Sequence, residues 1–154
     1  MKFSTKEDIA VPIEEVFAVI SDFGKMERAA LRRGADLTRT DTLTDPAPGM
    51  AWSTRFDFRG KQRHVQTELT GFTPPEWMTL RSSVSGLDGV TEIELLRLSP
   101  RQTRIAVAVE LRPQTLSARV FLQTLRLAKA KLSNKFKSGV ARFAREMEAG
   151  TFRG

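Results

Sequence analysis

The sequence predicts an α+β domain in which an antiparallel sheet packs against a long C-terminal helix. Three observations carry this prediction. Apolar residues recur every three or four positions over residues 115–149, which is the period of one helix face. Between residues 35 and 112 that period is absent, and apolar and polar residues alternate as they do in strands. One strand and two short helical segments precede this alternating region.

The N-terminal segment predicts a strand followed by two short helices. Residues 2–11 alternate between apolar and polar side chains. Pro12 then ends the strand and opens a helix over residues 13–21, because proline is accepted in the first turn of a helix. Residues 25–33 predict a second helix, which Gly34 closes.

The alternating region predicts about six further strands, which with the first strand make a sheet of about seven. Short turns rich in Gly, Pro, Asp and Ser join them, so we expect an antiparallel meander. A single helix cannot fill the concave face of such a twisted sheet, and we therefore expect a cavity between them. The predicted strands span residues 37–43, 52–59, 62–72, 77–85, 90–98 and 103–111.

The last segment predicts one uninterrupted helix over residues 115–149. Pro113 precedes it, Thr115 can cap its free amides, and Gly150 can end it. From residue 114 onward the chain has nine Lys and Arg against two Glu, a net charge of +7. The whole chain has 25 Lys and Arg against 18 Asp and Glu, which is also +7, so the net charge resides on this segment.

Composition limits the classes of function. The 154 residues suit one globular domain, which we place at residues 1–149 with a C-terminal tail at 150–154. The chain has no cysteine and one histidine, His64, which excludes disulfides, thiolate catalysis and sites with several histidine ligands. There is no signal-peptide pattern, so we expect a cytoplasmic protein. We find no nucleotide-binding or catalytic motif, and we expect neither a cofactor nor a metal.

Two local motifs resemble a known family. Residues 11–17, VPIEEVF, are similar to the "V-x-x-P-x-E-x-V-(F/W)" entry into the first helix of the START/Bet v 1-like superfamily, in particular its polyketide cyclase/dehydrase and lipid-transport-like branch. Residues 69–78, LTGFTPPEWM, resemble the "V-x-E-x-x-P-P-x-x-L" turn of that branch, although Gly71 replaces an acidic residue. The resemblance implies a helix-grip fold, in which the sheet wraps around the C-terminal helix, and an apolar or aromatic ligand between them.

An apolar stripe predicts the cavity lining. Trp52, Phe56 and Phe58 share one face of a strand, and Met78 and Leu80 share a face of a later one. Such a stripe is also typical of plain core, and the two interpretations stay open. We expect the ligand to contact Met26, Leu31, Met50, Trp52, Phe56, Met78, Leu80, Leu96, Leu125, Leu132 and Phe136.

Glu92 and Glu94 are the candidate catalytic residues. They share one strand face with Leu96, and a carboxyl group buried in a cavity could act as a general acid or hold a polar head group. The alternative is that both side chains face water. A carrier or sensor of a hydrophobic small molecule is the favoured function, and a cyclase/dehydrase-type enzyme in the same cavity is the alternative.

The basic residues of the C-terminal helix predict a second surface. Clustered cations are typical of contacts with anionic membranes or nucleic acid, but no aromatic residues alternate with these cations as they do in nucleic-acid-binding surfaces. We therefore expect either a solvated face or a surface for a membrane or partner protein, and no nucleic acid. The residues concerned are Arg119, Arg126, Lys129, Lys135 and Arg142.

Overall fold

The computed structural model describes residues 1–58 and 60–153, except for the side chain of Phe58. The prediction that Phe58 belongs to the apolar stripe therefore lies outside the described residues. Within these residues the chain forms seven strands and four helices. The predicted order of a strand, two short helices, a strand meander and a C-terminal helical segment is confirmed. The strands are β1 (Lys2–Ile9), β2 (Asp36–Arg39), β3 (Ala51–Phe58), β4 (Lys61–Thr73), β5 (Trp77–Val84), β6 (Leu87–Ser99) and β7 (Gln102–Pro113). The helices are α1 (Ile13–Ile20), α2 (Phe23–Arg32), α3 (Leu116–Leu127) and α4 (Lys129–Glu148).

The strands form one antiparallel sheet in the order β1-β7-β6-β5-β4-β3-β2. Strands β2 to β7 are consecutive neighbours, as a meander requires, and β1 pairs with the last strand, so that Phe3 lies opposite Val109. The register shifts between residues 69 and 71 of β4 and between residues 97 and 99 of β6. Such shifts bend a strand and increase its local twist, which curves the sheet around the helices.

The helix α1 closes one end of the core. Its side chains Ile13, Val16 and Phe17 are buried, and the Phe17 ring lies 5.4 Å from that of Phe72 in β4. The buried hydroxyl of Thr103 donates a hydrogen bond of 2.8 Å to the carbonyl of Val11, just before the helix. This bond satisfies a backbone oxygen that the packing of α1 removes from water.

The predicted single C-terminal helix is wrong in one respect, because the structure divides it at Ala128. Ala128 has φ −104° and ψ 12°, and its amide bonds to the Leu125 carbonyl one residue closer than in an α-helix. Neither Pro nor Gly lies at this position. The interruption lets the two pieces follow different strands, since α3 packs beside β7 and α4 lies along β1.

The segment predicted as a tail packs against the rest of the chain as far as residue 153. The Phe152 ring lies 5.5 Å from the Phe143 ring in α4, and Arg153 Nη2 lies 3.4 Å from Glu15 Oε2 in α1. Gly154 is outside the described residues. None of the described helices combines the length and the hydrophobicity needed to span a bilayer.

Candidate ligand cavity

A cavity of about 1150 Å³ lies between the concave face of the sheet and the helices α1, α2 and α4. Every strand from β2 to β7 contributes side chains to its wall, so the cavity follows the curvature of the sheet. The residues of the sheet that line it are Leu37, Trp52, Thr54, Thr67, Met78, Leu80, Ile93, Ile105 and Val107. Most of these side chains are apolar.

Aromatic rings form two corners of the cavity. Phe23 of α2 and Trp52 of β3 stand with their ring centres 5.2 Å apart and tilted by 52°. The pair of Phe143 and Phe152 lines the wall on the side of α4. Offset and tilted arrangements are the ones that aromatic pairs prefer, so both pairs are stable contacts that add apolar ring surface to the cavity wall.

A polar contact holds α2 against the sheet at the cavity wall. Trp52 Nε1 donates a hydrogen bond of 2.8 Å to Glu27 Oε1, and Arg39 Nη1 lies 3.3 Å from the same oxygen. The Arg39 guanidinium carbon also lies 5.8 Å from the centre of the Trp52 ring. One carboxylate oxygen of α2 is therefore shared between β2 and β3.

Asp41 fixes the position of Arg39. Its two oxygens accept hydrogen bonds from Arg39 Nη2 at 2.6 Å and Nε at 2.7 Å, and also from the amides of Leu43 and Ala51. The hydrogen bonds from the Arg39 guanidinium hold the pKa of the Asp41 carboxyl well below its usual range. The same pair raises the pKa of Arg39, so both groups stay charged at neutral pH.

Among the described residues, the ionisable side chains that line the cavity all lie on one side of it. Four of them are in α2, and the fifth is Asp22, which precedes the helix. The Asp22 side chain caps α2 by accepting a hydrogen bond of 3.1 Å from the amide of Lys25. The sheet adds the hydroxyls of Thr54 and Thr67, and Thr67 is already bonded to Ser82 at 3.1 Å. The ionisable residues are Asp22, Lys25, Glu27, Arg28 and Arg32.

Gly139 gives α4 a gap that faces the cavity. A methyl group built at Gly139 would meet no atom within 4 Å, other than those of its own helix turn and chain neighbours. A glycine inside a helix costs about 1 kcal/mol relative to alanine, and no close contact with the sheet explains it here. The missing side chain adds volume to the cavity instead.

The structure brings together four of the residues predicted to contact the ligand: Met26, Trp52, Met78 and Leu80 all line the cavity. Their contact with a ligand stays a proposal. The other seven lie elsewhere in the fold.

Three of these seven lie in β3, α2 and the loop before β3. Met50 is 2 % exposed and belongs to the packed core, whereas Leu31 in α2 and Phe56 in β3 are exposed to solvent. The expectation that they line the cavity is therefore corrected. Leu31 lies on the solvent side of α2. Phe56 lies two residues beyond Thr54, which is the last residue of β3 that lines the cavity.

In β6 the structure has the alternative in which Glu92 and Glu94 face water, and the expectation that Leu96 lines the cavity is corrected. Ile93 lines the cavity and Leu95 is buried, so alternation places Glu92, Glu94 and Leu96 on the other face of the sheet, where all three are exposed. The two carboxylates border a separate groove of about 510 Å³ that also includes Glu76 and Trp77. Glu92 and Glu94 are thus not positioned to act on a molecule in the large cavity.

Leu125, Leu132 and Phe136 are half-buried but lie outside the cavity wall. The cavity reaches only the second half of α4, from Gly139 to Phe143, and these three side chains precede that part of the helix. The Phe136 ring packs 6.2 Å from that of Phe3 in β1. The five basic residues predicted as an anion surface are all exposed.

Sequence reasoning missed Phe23, Phe143 and Phe152 as cavity residues. It also missed the contacts of Glu27 with Trp52 and Arg39, which we call the anchor of α2. Phe143 shares a helix face with Val140 and was available from the period of α4. Phe23 sits at the start of α2, where no periodic signal marks it. The contact between Glu27 and Trp52 joins residues 25 positions apart and follows only from the fold.

A comparison with protein families settles the class of this chain. Residues 1–148 match the family described as polyketide cyclase/dehydrase and lipid transport. The chain belongs to this family. Its sheet, two short helices and C-terminal helical segment form the helix-grip fold shared by START and Bet v 1-like proteins.

Solved structures support the fold of this cyclase/dehydrase and lipid-transport family member. Norcoclaurine synthase from Thalictrum flavum is 11% identical, with a TM-score of 0.66 over 100% of this chain and 87% of that one. The Zhui aromatase/cyclase from Streptomyces sp. R1128 is 12% identical, with a TM-score of 0.62 over 95% and 94%. A START superfamily protein from Mycobacterium smegmatis is 12% identical, with a TM-score of 0.55 over 87% and 95%.

These identities support the fold and no particular ligand. The fold is of the hydrophobic-ligand-binding or polyketide-cyclase type. No curated protein sequence matches the chain significantly.

Proposed function

We propose that this family member binds a hydrophobic small molecule, lipid-like or aromatic, in the cavity under α2 and acts as a carrier or sensor. The observation that carries the proposal is the cavity itself, about 1150 Å³ in volume and lined mostly by apolar side chains. Ligand cavities in proteins are roughly 300–1,000 Å³. The space is therefore sufficient for a molecule with several rings or a long acyl chain.

The distribution of polar groups gives the ligand an orientation. Ionisable groups lie only along α2, whereas the sheet and α4 offer apolar surface and the two threonine hydroxyls. A buried polar group without a partner costs free energy, so a polar end of the ligand is placed towards α2 and its apolar body against the sheet. Burial of apolar surface, at about 25 cal/mol per Å² removed from water, supplies the driving force.

The test is native mass spectrometry of protein purified from its native host without denaturation, followed by extraction of any bound molecule. We expect an apolar adduct at one molecule per chain. A protein that carries no adduct and shows no thermal shift with a panel of fatty acids, quinones and polycyclic aromatics would contradict the proposal.

A pair of neighbouring variants in α4 tests the location. Gly139→Leu places a side chain into the cavity, where the structure has free space, and should reduce the affinity for the bound molecule by about tenfold or more. Ser138→Leu is the matched control, because Ser138 is exposed and does not line the cavity. Equal affinities of the two variants would place the ligand elsewhere.

A cyclase/dehydrase-type enzyme acting in the same cavity is the second candidate, and the description of the family favours it. The polar side chains available to such a reaction are the hydroxyls of Thr54 and Thr67 and the ionisable groups of Asp22, Lys25, Glu27, Arg28 and Arg32. Turnover of an aromatic polyketide precursor that is lost in Thr54→Val, with binding retained, would support an enzyme. Glu94→Gln serves as the control and should change neither binding nor turnover, because Glu94 lies on the other face of the sheet.

A further inference from the structure

The outward face of α3 carries three large aliphatic side chains that are mostly exposed to solvent. Leu116, Val120 and Leu127 are 76%, 55% and 90% exposed. At 3.6 residues per turn, the three side chains point within about 40° of one another around the helix axis. They form an apolar line along the helix, which the exposed side chain of Gln123 interrupts between Val120 and Leu127. We call these three side chains the α3 ridge.

The α3 ridge is held outward by the packing of the other face of the helix. Ala118 and Leu122 are 4% and 3% exposed against the domain, and the Thr115 side chain caps the helix by accepting the Ala118 amide at 3.1 Å. Gly86, at φ +78°, lies in such close contact with Thr115 that a larger residue would not fit. Rotation of α3 to bury the ridge would break this packing.

Cations border the α3 ridge. Arg119 and Arg126 flank it on one side of the helix, and Lys129 and Lys131 follow within four residues of Leu127. All four side chains are exposed, and within residues 1–58 and 60–153 none of them forms an ion pair. Lys and Arg beside an exposed apolar helix face are typical of helices that lie in the interface of an anionic bilayer.

We propose that α3 docks flat on an anionic lipid bilayer, with the α3 ridge inserted among the acyl chains and the four cations against the lipid phosphates. This inference concerns a surface separate from the cavity and stands without the proposed function. A second copy of the chain fits this surface less well, because the segment from residue 114 onward carries the net charge of +7 and two such faces repel each other.

Co-sedimentation of the full chain with lipid vesicles tests the proposal. The vesicles contain phosphatidylcholine with about 30% phosphatidylglycerol, and pure phosphatidylcholine vesicles serve as the comparison. We expect binding to the anionic vesicles only, decreasing as NaCl rises from about 0.05 to 0.5 M. Absence of binding to anionic vesicles at low salt would overturn the proposal.

Two sets of variants separate the apolar and the charged contributions. Leu116→Gln with Val120→Gln and Leu127→Gln should lower vesicle affinity by about tenfold or more, while Leu96→Gln with Leu98→Gln, which removes exposed leucines from the outer sheet face, should not. Arg119→Gln with Arg126→Gln should weaken both binding and its salt dependence more than Arg33→Gln with Arg101→Gln, because Arg33 and Arg101 are exposed and lie outside both α3 and the cavity wall. If control and test variants behave alike, the proposal is wrong.

Insertion can be read directly because the chain has no cysteine. Leu127→Cys accepts one environment-sensitive fluorophore. Gln102→Cys is the control, because Gln102 is exposed and lies at the start of β7, the end of the strand that is remote from α3. We expect a blue shift of the fluorophore at position 127 on anionic vesicles and none at position 102. No shift at position 127 would contradict insertion into the bilayer. Self-association without lipid that the ridge variants abolish would also overturn the proposal, because it would show that the α3 ridge contacts a second copy of the chain. Leu127→Gln alone, at a side chain 90% exposed, replaces the triple variant if that variant does not fold.

Discussion

The two short helices α1 and α2 follow one another in the chain, yet they are attached to the sheet in different ways. Three side chains of α1 are buried, Ile13, Val16 and Phe17, and the helix packs on β6 and β7. In α2 only Phe23 is buried, and the helix is held by Glu27 through Trp52 and Arg39. Burial thus fixes α1, whereas hydrogen bonds and one aromatic contact fix α2.

Because of this difference, detachment of α1 and detachment of α2 from the sheet would have different consequences. Detaching α1 would expose the core, whereas detaching α2 would expose one phenylalanine and open the cavity. Local opening of a protein favours the segments with the fewest buried contacts. We therefore expect opening of the cavity to begin at α2, and the following predictions test this contrast between α1 and α2.

Phe17→Ala should have the largest effect. It removes a ring that is 5% exposed and packs on Phe72, and should lower the free energy of unfolding by about 3 kcal/mol. Urea denaturation followed by circular dichroism measures this. Phe56→Ala is the control, because a phenylalanine that is 40% exposed loses less packing. Equal losses for the two variants would contradict the assignment of α1 to the core.

Glu27→Ala should act on α2 alone. It removes the acceptor of the Trp52 hydrogen bond and should cost about 1–2 kcal/mol of stability. Hydrogen exchange should show faster exchange of the α2 amides and no change in α1. Glu14→Ala is the control, because the Glu14 ion pair with Arg97 is exposed and such pairs contribute little. Faster exchange in both helices would show that they open together.

The Asp41 carboxylate should make the anchor of α2 dependent on pH. Its pKa is lower in the folded chain than the value of about 3.9 in an unfolded one. Its contribution to stability is therefore fully present above the unfolded pKa and is lost as the pH falls below it. Asp41→Asn should be less stable than the wild type at pH 7, and this difference should shrink towards pH 2.5. A difference that does not change with pH would show that the charge of Asp41 has no part in stability.

Gly139→Ala should have the smallest effect, and it should stabilise the protein. The added methyl group meets open space, so the gain in helix propensity of up to about 1 kcal/mol is not offset by a clash. Thermal unfolding measures the change. Gly86→Ala should destabilise the protein, because Gly86 has φ +78° and touches Thr115. A loss of stability in Gly139→Ala would show that the space beneath α2 is filled.

The sequence was sufficient to predict most of the fold. Period and turn residues located the strands, and the VPIEEVF motif marked the start of α1 where the structure has it. The division at Ala128 was not predictable, because the apolar period continues through it and no helix-breaking residue is present. The division depends on the two strands along which α3 and α4 pack, and no local pattern reports that.

The candidate site was predictable only in part. Alternation identified Trp52, Met78 and Leu80, whose strands have one clearly apolar face. It failed in β6, because Ile93 and Leu95 on one face compete with Leu96 and Leu98 on the other, and the sequence does not show which pair is buried. The position of Glu27 beside Trp52 depends on how α2 crosses the sheet.

The order of the strands also bears on how the protein avoids aggregation. The sheet ends at β1 and β2, and an unpaired edge strand is a template on which another chain can add. At one edge β2 offers only four residues, Asp36–Arg39, and the ion pair of Asp36 with Arg55 keeps charge beside it. At the other edge Lys2, Lys6 and Asp8 alternate along β1, and α4 lies against that strand. Neither edge presents a long, uncharged strand, which limits the pairing of copies through their sheets.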